Sequence, residues 1–428
     1  MKKDSLFNRV FRRARDEPAG PGTRNAVSDA DTFYFGGTPS GEFVTPKSSL
    51  QLSTVYACVR VISESIAMLP LNLMVRTELG TEKSDSRLNY LVSSEPNSEM
   101  TSFIWRETML THMLLWGNSY SLIIRDQRGA IESLYPLLPD DGHMVVDRDE
   151  YGKLYYQYST SNKTEILRPY EVLHIPALGF DGIMGYSPIA LQRNAMGLYQ
   201  AAEKYGSSFF RNSAMPGGVL EHPGVVKDPA RLREMWQSSY GGENRGKTAI
   251  LEEGMKFQAI TVPNTDAQFL ETRKFQVNEI CRIFRVPPHM VCDLEHATFS
   301  NIEHQSIDFA VHTITPWVVR IEQALNRALI SEREKGKQFF KFRINALTRG
   351  SYKERMDGYA VARQNGWMSA NDIRDLEDMN RVPDSEGGNA YLVNGNMIPI
   401  TTAMQNAAGE SAANAAQATT QQEEGDTD

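Results

Sequence analysis

Residues 279–312 read EICRIFRVPPHMVCDLEHATFSNIEHQSIDFAVH. Val286 precedes a proline and is pushed out of the helical region, and neither Pro287 nor Pro288 has an N–H to donate, so a helix must stop here. Beyond the break, Ser300 or Asn301 can cap a new helix, and Ile302, Gln305, Ser306, Phe309 and Thr313 then recur at helical spacing. The stretch predicts a helix, a loop over 286–300 held at both ends, and a long second helix over 301–330 that Pro316 should kink.

Upstream, residues 266–285 read as the helix that enters the break, with Phe269, Leu270, Phe275, Val277, Ile280 and Ile283 or Phe284 on its apolar side. An earlier helix over 189–213 follows Ser187-Pro188 and carries Leu191, Ala195, Leu198, Ala202, Tyr205 and Phe209 as its stripe. Between these two helices lie a strand at Val219-Leu220, a helix over Pro229 to Tyr240 and a strand over Thr248 to Leu251. That piece is too small for a core of its own and must pack against a neighbour.

The first 185 residues read as α+β. A helix starts at Ser53 or Thr54 as cap, buries Val55, Cys58, Val59, Ile62, Ile66 and Leu69, and stops at Pro70. A strand over Leu71 to Arg76, a helix over Thr101 to Trp116 and strands over 120–125, 131–135, 143–147, 154–158 and 172–176 follow, joined by Asp126–Gly129 and Tyr151-Gly152 turns. Residues 16–48, rich in Pro, Gly, Ser and Thr, read as a linker, which puts the start of the folded part near Leu50. After a strand over Phe339 to Ile344 come helices over 353–364 and 369–378, the second capped by Ser369, and from Thr401 the composition predicts disorder.

Composition bounds the function. The 428 residues are 41% hydrophobic and 23% charged, as in ordinary globular protein. The 45 Lys and Arg against 53 Asp and Glu leave −8, which excludes coating of nucleic acid through bulk positive charge. Cys58, Cys281 and Cys292 form no C-x-x-C pair and too sparse a set for a disulfide framework. No run approaches the ~18 apolar residues of a membrane span. Lys2, Lys3, Arg9, Arg12, Arg13 and Arg15 make a basic N-terminal arm without a signal-peptide core. It reads either as solvated or as docking through Leu6, Phe7, Val10 and Phe11.

Three catalytic leads fail on context. GGENRGKT at 241–248 matches the phosphate-loop spacing through Gly241, Gly246, Lys247 and Thr248, but such a loop follows a strand and opens a helix, and here the order is reversed. His289, Cys292, His296, His304 and His312 include zinc-ligand types without compact ligand spacing. No nucleophile elbow or paired-carboxylate pattern is visible. A nucleotide-binding or metal-dependent enzyme remains the alternative, and no catalytic, cofactor or metal residue is assigned.

Several motifs recur in a characteristic order: EPN (95–97) with Met100-Thr101, WGNSY (116–120), YPLLP (135–139), EVLHI (171–175), GYSPI (185–189), FFRNSAMPGGVL (209–220), FLETRKFQVNEI (269–280) and GWMSANDIRDLEDMNRVPDSEGG (366–388). With the VPP break and the FSN restart, they make residues 50–400 resemble the portal proteins of tailed bacteriophages, specifically the HK97-like family. Departures are the charged and aromatic content of Asp293–Phe299 and Asp372 in place of the more usual glutamate.

The resemblance implies a portal fold, an α+β subunit that assembles as a ring, typically of twelve copies, at one capsid vertex. It implies an N-terminal arm and linker (1–49), a wing (50–187 and 331–349), stem helices (188–214 and 264–285), a clip (215–263), a tunnel loop (286–300), a long kinked helix (301–330), a crown (350–400) and a tail (401–428). Double-stranded DNA would be driven through the ring by the terminase and later ejected. The major capsid protein, the terminase large subunit and a head-completion or adaptor protein would be its partners. The residues to examine first as DNA-facing are Arg282, Arg285, His289, His296 and Asn301, and as clip contacts Arg231, Arg233, Glu234, Arg245 and Lys247.

Overall fold

The computed structural model describes residues 35–391, apart from 79, 141, 161–162, 212–217, 225–227, 241–250, 252–253, 260–265, 294–298, 345–351 and 378. The chain divides into two compact units, Met1–Leu347 and Thr348–Asp428.

The folded part starts earlier than the composition suggested. β1 (Gly36–Gly37) pairs with β2 (Phe43–Val44), and α1 (Pro46–Leu50) follows at once. Thr45 Oγ1 accepts from the Ser48 N–H and Ser48 Oγ from the Thr45 N–H, a reciprocal cap that satisfies two backbone donors. Polar residues here serve as caps and turns of an ordered segment, so Ser and Thr content misled the reading of a linker.

α2 (Ser53–Ala67) buries Val55, Cys58, Val59, Ile62 and Ile66 as their spacing required. Its cap is Leu52, without a side-chain bond, in place of the expected Ser53 or Thr54; Leu52 is itself in the core, so burial fixes the entry. β3 (Leu71–Thr77) lies between β4 (Gly80–Lys83) and the much later β13 (Gln338–Phe342), both antiparallel to it. α3 (Arg87–Ser93) supplies Asn89, whose side-chain oxygen accepts the Leu73 N–H at 2.8 Å.

α4 (Ser102–Trp116) is capped by Thr101 and ends at Gly117. It leads into the sheet of β5 (Asn118–Arg125), β6 (Ile131–Leu137) and β10 (Val172–Pro176), ordered β10-β5-β6. A second sheet holds β7 (Met144–Arg148), β8 (Leu154–Thr160) and β9 (Lys163–Leu167). Arg106, inside the core, points its guanidinium at the carbonyls of Ser102 and Leu69, and burial lowers its pKa to about 10, still high enough to keep it charged.

The helix expected over 189–213 is two helices, α5 (Pro188–Leu191) and α6 (Arg193–Arg211), with the break at Gln192. Ser187 Oγ donates to the Leu115 carbonyl and Ile189 and Ala190 are buried, so packing on α4 sets the direction of α5 and the chain re-aims before α6. The buried side of α6 holds Met196, Tyr199 and Gln200, not the expected stripe: Leu198 and Tyr205 are 49% and 52% exposed.

β11 (Gly218–Glu221) pairs antiparallel with β12 (Lys256–Ala259), a strand the periodicity did not reveal, and α7 (Pro229–Tyr240) lies between them. The strand expected over Thr248 to Leu251 falls almost wholly outside the described residues. α8 (Asp266–Phe284) packs against α6, with Arg273 Nη2 3.4 Å from Glu203 Oε1. After the break come α9 (Phe299–Asp308), a π-helical turn (Phe309–Ile314) and α10 (Thr315–Leu329).

In the second unit, α11 (Tyr352–Gln364) and α12 (Ala370–Leu376) meet through Glu377. It accepts from Arg355 Nη2 at 3.0 Å and from the Tyr359 hydroxyl at 2.9 Å. Ser369 caps α12 as expected, with Asp372 returning the bond.

Candidate functional site

The base of the loop after α8 is built from the backbone outward. Arg285 has φ 55, the left-handed conformation usually left to glycine. Its N–H bonds the Arg282 carbonyl (3.2 Å) and the Val286 N–H bonds the Cys281 carbonyl (2.9 Å), the two-bond closure that satisfies orphan carbonyls at a helix end. Val286 and Cys281 are buried, which supplies the apolar contact that goes with such an end. Pro287 follows and the helix cannot resume.

The prolines then turn the chain tightly. Pro288–Val291 forms one 3-10 turn that ends at Cys292, φ 66, and the Asp293 N–H closes onto the Pro288 carbonyl at 3.0 Å. Arg285 and Cys292 are the only non-glycine residues with positive φ among the described residues, and both belong to this loop. Such backbone costs of order 1 kcal/mol per residue and persists where its surroundings over-determine it.

Two side chains supply that restraint. His289 Nδ1 lies 2.8 Å from Gln305 Oε1, which ties the start of the loop to α9. Thr313 Oγ1 donates to the Arg285 carbonyl at 2.6 Å, which ties the end of α8 to the π turn. That turn is how the chain accommodates Pro316. The proline cannot donate to the carbonyl four residues back. Thr315 reaches instead to the Ala310 carbonyl five residues back, through its N–H and also through its hydroxyl at 2.8 Å. The expected kink is thus a widened helical turn.

Arg282 and Arg285 are exposed, and neither forms a salt bridge among the described residues. His289 is partly covered. Asn301 lies in the first turn of α9, where only its backbone is described, and His296 lies outside the described residues. The structure therefore brings Arg282, Arg285 and His289 to one loop base and leaves the others unjudged. Of the clip candidates, Arg231, Arg233 and Glu234 are exposed on α7, whereas Arg245 and Lys247 lie outside the described residues, as does the whole GGENRGKT motif. What is described is that a helix, α7, runs up to Gly241.

Beside the loop base is an apolar cavity of about 340 Å³, lined among others by Leu178, Tyr186, Arg285, Thr313, Trp317 and Arg320. Arg320 Nη1 donates to the carbonyls of Pro176 (2.8 Å) and Ala177 (2.9 Å), and its guanidinium lies 5.7 Å from the Trp317 ring. The segment above it is pinned by Asn118, whose side chain exchanges two bonds with the Gly185 backbone (2.7 and 2.9 Å) and meets His174 Nε2 at 3.0 Å. Thr313, Arg320 and Asn118 were missed in the sequence. Asn118 stood in the WGNSY motif, while the other two reach backbone carbonyls far along the chain, which no local pattern records.

No group of three or more His, Cys, Asp or Glu is arranged to hold a metal among the described residues. No helix of those residues is long and apolar enough to cross a membrane. The chemistry on offer is positional: two cations on a stiff, tethered loop base.

Comparison with known proteins gives the family that the motifs resemble. The family described as "Phage portal protein" matches residues 53–378. The "Portal protein" of Enterobacteria phage HK97 is 31% identical over 366 residues, 82% of this chain and 84% of that protein. The "Probable portal protein" of Streptomyces phage phiC31 is 39% identical over 363 residues, 81% of this chain and 79% of that one. In fold, the chain is similar to one in the solved structure described as "Neck of native GTA particle computed with C12 symmetry", with a TM-score of 0.52 and 20% identity, covering 82% of this chain and 96% of the other. Membership in this structural, non-enzymatic family accounts for the α+β architecture, the broken long helix and the absence of catalytic pattern together: the chain belongs to the HK97 family of phage portal proteins and is a virion component.

Proposed function

We propose that twelve copies form a ring at one capsid vertex, through which the terminase drives double-stranded DNA during packaging and from which the DNA later leaves. Assembled in the host cytoplasm, the ring would be seated by the major capsid protein and would take first the terminase large subunit and then a head-completion or adaptor protein at its clip. The twelvefold symmetry used for the similar neck structure supports the ring number. The pairing of β13 with β3 supports joining 331–349 to 50–187 as one wing, and the division near Thr348 supports a separate crown over 350–400. The α6–α8 pair would be the stem, 215–263 the clip and 286–300 the tunnel loop.

The observation that carries the reading is the loop base, where Arg282, in the last turn of α8, and Arg285, on strained backbone, stand beside a loop tied down through Thr313 and His289. Each copy is acidic at −8, so the ring as a whole repels phosphate and DNA can slide. A few loop cations then touch the backbone briefly and without sequence preference. Arg282→Ala with Arg285→Ala should leave ring assembly intact while changing DNA retention in filled heads and flattening its dependence on salt. Unchanged packaging rate, retention and salt response would remove the loop base from the DNA path.

A further inference from the structure

Two of the three cysteines are neighbours in space although far apart in the sequence. Cys58 lies in the first half of α2 and Cys281 in the last turn of α8, and both are buried in the same core, 0% and 2% exposed. α2 and α8 pack against each other, and there the two thiols meet and share a hydrogen bond. Both are free thiols, as is the exposed Cys292. A single buried cysteine is a small, inert hydrophobe, but two in contact hold both halves of a disulfide. The bond to Cys281, and then burial, push the Cys58 thiol up, while the same bond draws the Cys281 thiol down. Cys281 is therefore the more readily ionised of the pair, and the thiolate is the nucleophile.

Cys281 also belongs to the loop base, since its carbonyl accepts the Val286 N–H that closes α8 beside the strained Arg285. α2, by contrast, is held deep in the core against α4. Disulfides are kept reduced in the cytosol and persist outside it, and a virion component passes from one to the other. We propose that Cys58 and Cys281 stay reduced while the chain folds and are joined as a disulfide when the released particle meets a peroxide, which staples the end of α8 to α2. The Cys281 thiolate attacks one peroxide oxygen, the O–O bond breaks, and hydroxide leaves with the proton that the thiol gave up, as water. The Cys58 thiol then attacks the resulting sulfenic sulfur, and a second water leaves as the S–S bond forms. Two thiols are oxidised and one peroxide is reduced. A peroxide is little larger than water, so ordinary local opening of the core admits it.

The test uses the full-length protein with Cys292→Ser, which removes the exposed thiol. The folded, reduced protein is treated with hydrogen peroxide, quenched with catalase and then unfolded in N-ethylmaleimide. Before treatment Cys58 and Cys281 should both take the label. Afterwards neither should, the intact mass should be lower by two hydrogen atoms, and a digest should contain the Cys58 and Cys281 peptides joined by a link that dithiothreitol removes. The oxidised protein should melt about 5 °C above the reduced one, because the bond closes a long loop in the unfolded chain. Cys58→Ala and Cys281→Ala, each in the same background, should show neither the link nor the rise. Labelling of both thiols after a dose that fully oxidises Cys292 in the parent protein, or oxygen added to Cys281 without the link, would overturn the proposal. A link that leaves the midpoint unchanged or lowers it would overturn the staple, since the bond would then strain the packing it joins.

Discussion

Two helices in this chain end in the same way on opposite residues. α4 ends at Gly117, φ 81, and α8 ends at Arg285, φ 55. At Gly117 the reason for glycine is twofold, since the backbone is left-handed and a Cβ there would lie 2.4 Å from the Tyr186 carbonyl carbon. At Arg285 glycine would be cheaper, yet a long cation stands there, exposed, with its carbonyl held by Thr313. One end is resolved in favour of packing. The other keeps a costly residue at the edge of the loop, which is what the DNA contact proposed for it would require.

The sharpest way to break the contrast is Gly117→Ala. With strained φ and a backbone clash, it should cost about 3 kcal/mol or more and lower the thermal midpoint accordingly. A midpoint within a degree of the parent would mean that α4 does not end as described.

The next largest effect involves pH at the same helix. His112 on α4 is buried, and burial, only partly opposed by Asp140, holds its pKa down at about 4. Between pH 6.5 and 4 the unfolded chain binds the proton that the folded chain refuses, so stability is complete above pH 6.5 and falls as the pH is lowered. The loss by pH 4 should approach roughly 3 kcal/mol. His112→Leu should flatten this part of the stability curve, and equal slopes for both proteins would sink the assignment.

Smaller effects belong to the loop end. Thr313→Val leaves the Arg285 carbonyl without its side-chain donor and should cost about 1 kcal/mol. Hydrogen exchange should rise in residues 285–293 and stay unchanged in β5 and β10. Arg285→Gly should do the opposite, stabilising by about 0.5–1 kcal/mol. It should also weaken DNA retention; a variant both more stable and fully retentive would leave the arginine without a reason.

The same contrast explains what the sequence disclosed. Around α4, local rules and packing agree: Thr101 caps, the helix is continuous and Gly117 terminates it, so this helix could be read nearly to the residue, whereas the short β4, α3 and β9 nearby were not read at all. The VPP break was equally plain, because proline chemistry is local. Other features were set by tertiary contacts. Gln192 splits a helix whose periodicity runs straight through it, because α5 is aimed by Ser187 and α4. The π turn answers both to Pro316 and to a bond from Thr313 back to residue 285. β12 alternates polar and apolar residues over only four positions, Lys256–Ala259, too short a run to mark a strand before β11 is placed beside it. Most instructive is α6, whose expected stripe is not the side the chain buries: Met196, Tyr199 and Gln200 are inside, and Leu198 and Tyr205 stay half exposed.

The central claim, that copies of this chain close into a ring around a channel, is tested most directly by electron microscopy of the purified full-length protein, with end-on views classified by rotational symmetry. The account expects closed rings, twelvefold in the capsid-assembled form, with a central hole wide enough for a duplex. A uniform population of compact single chains or dimers, at concentrations where the protein is folded, would contradict it.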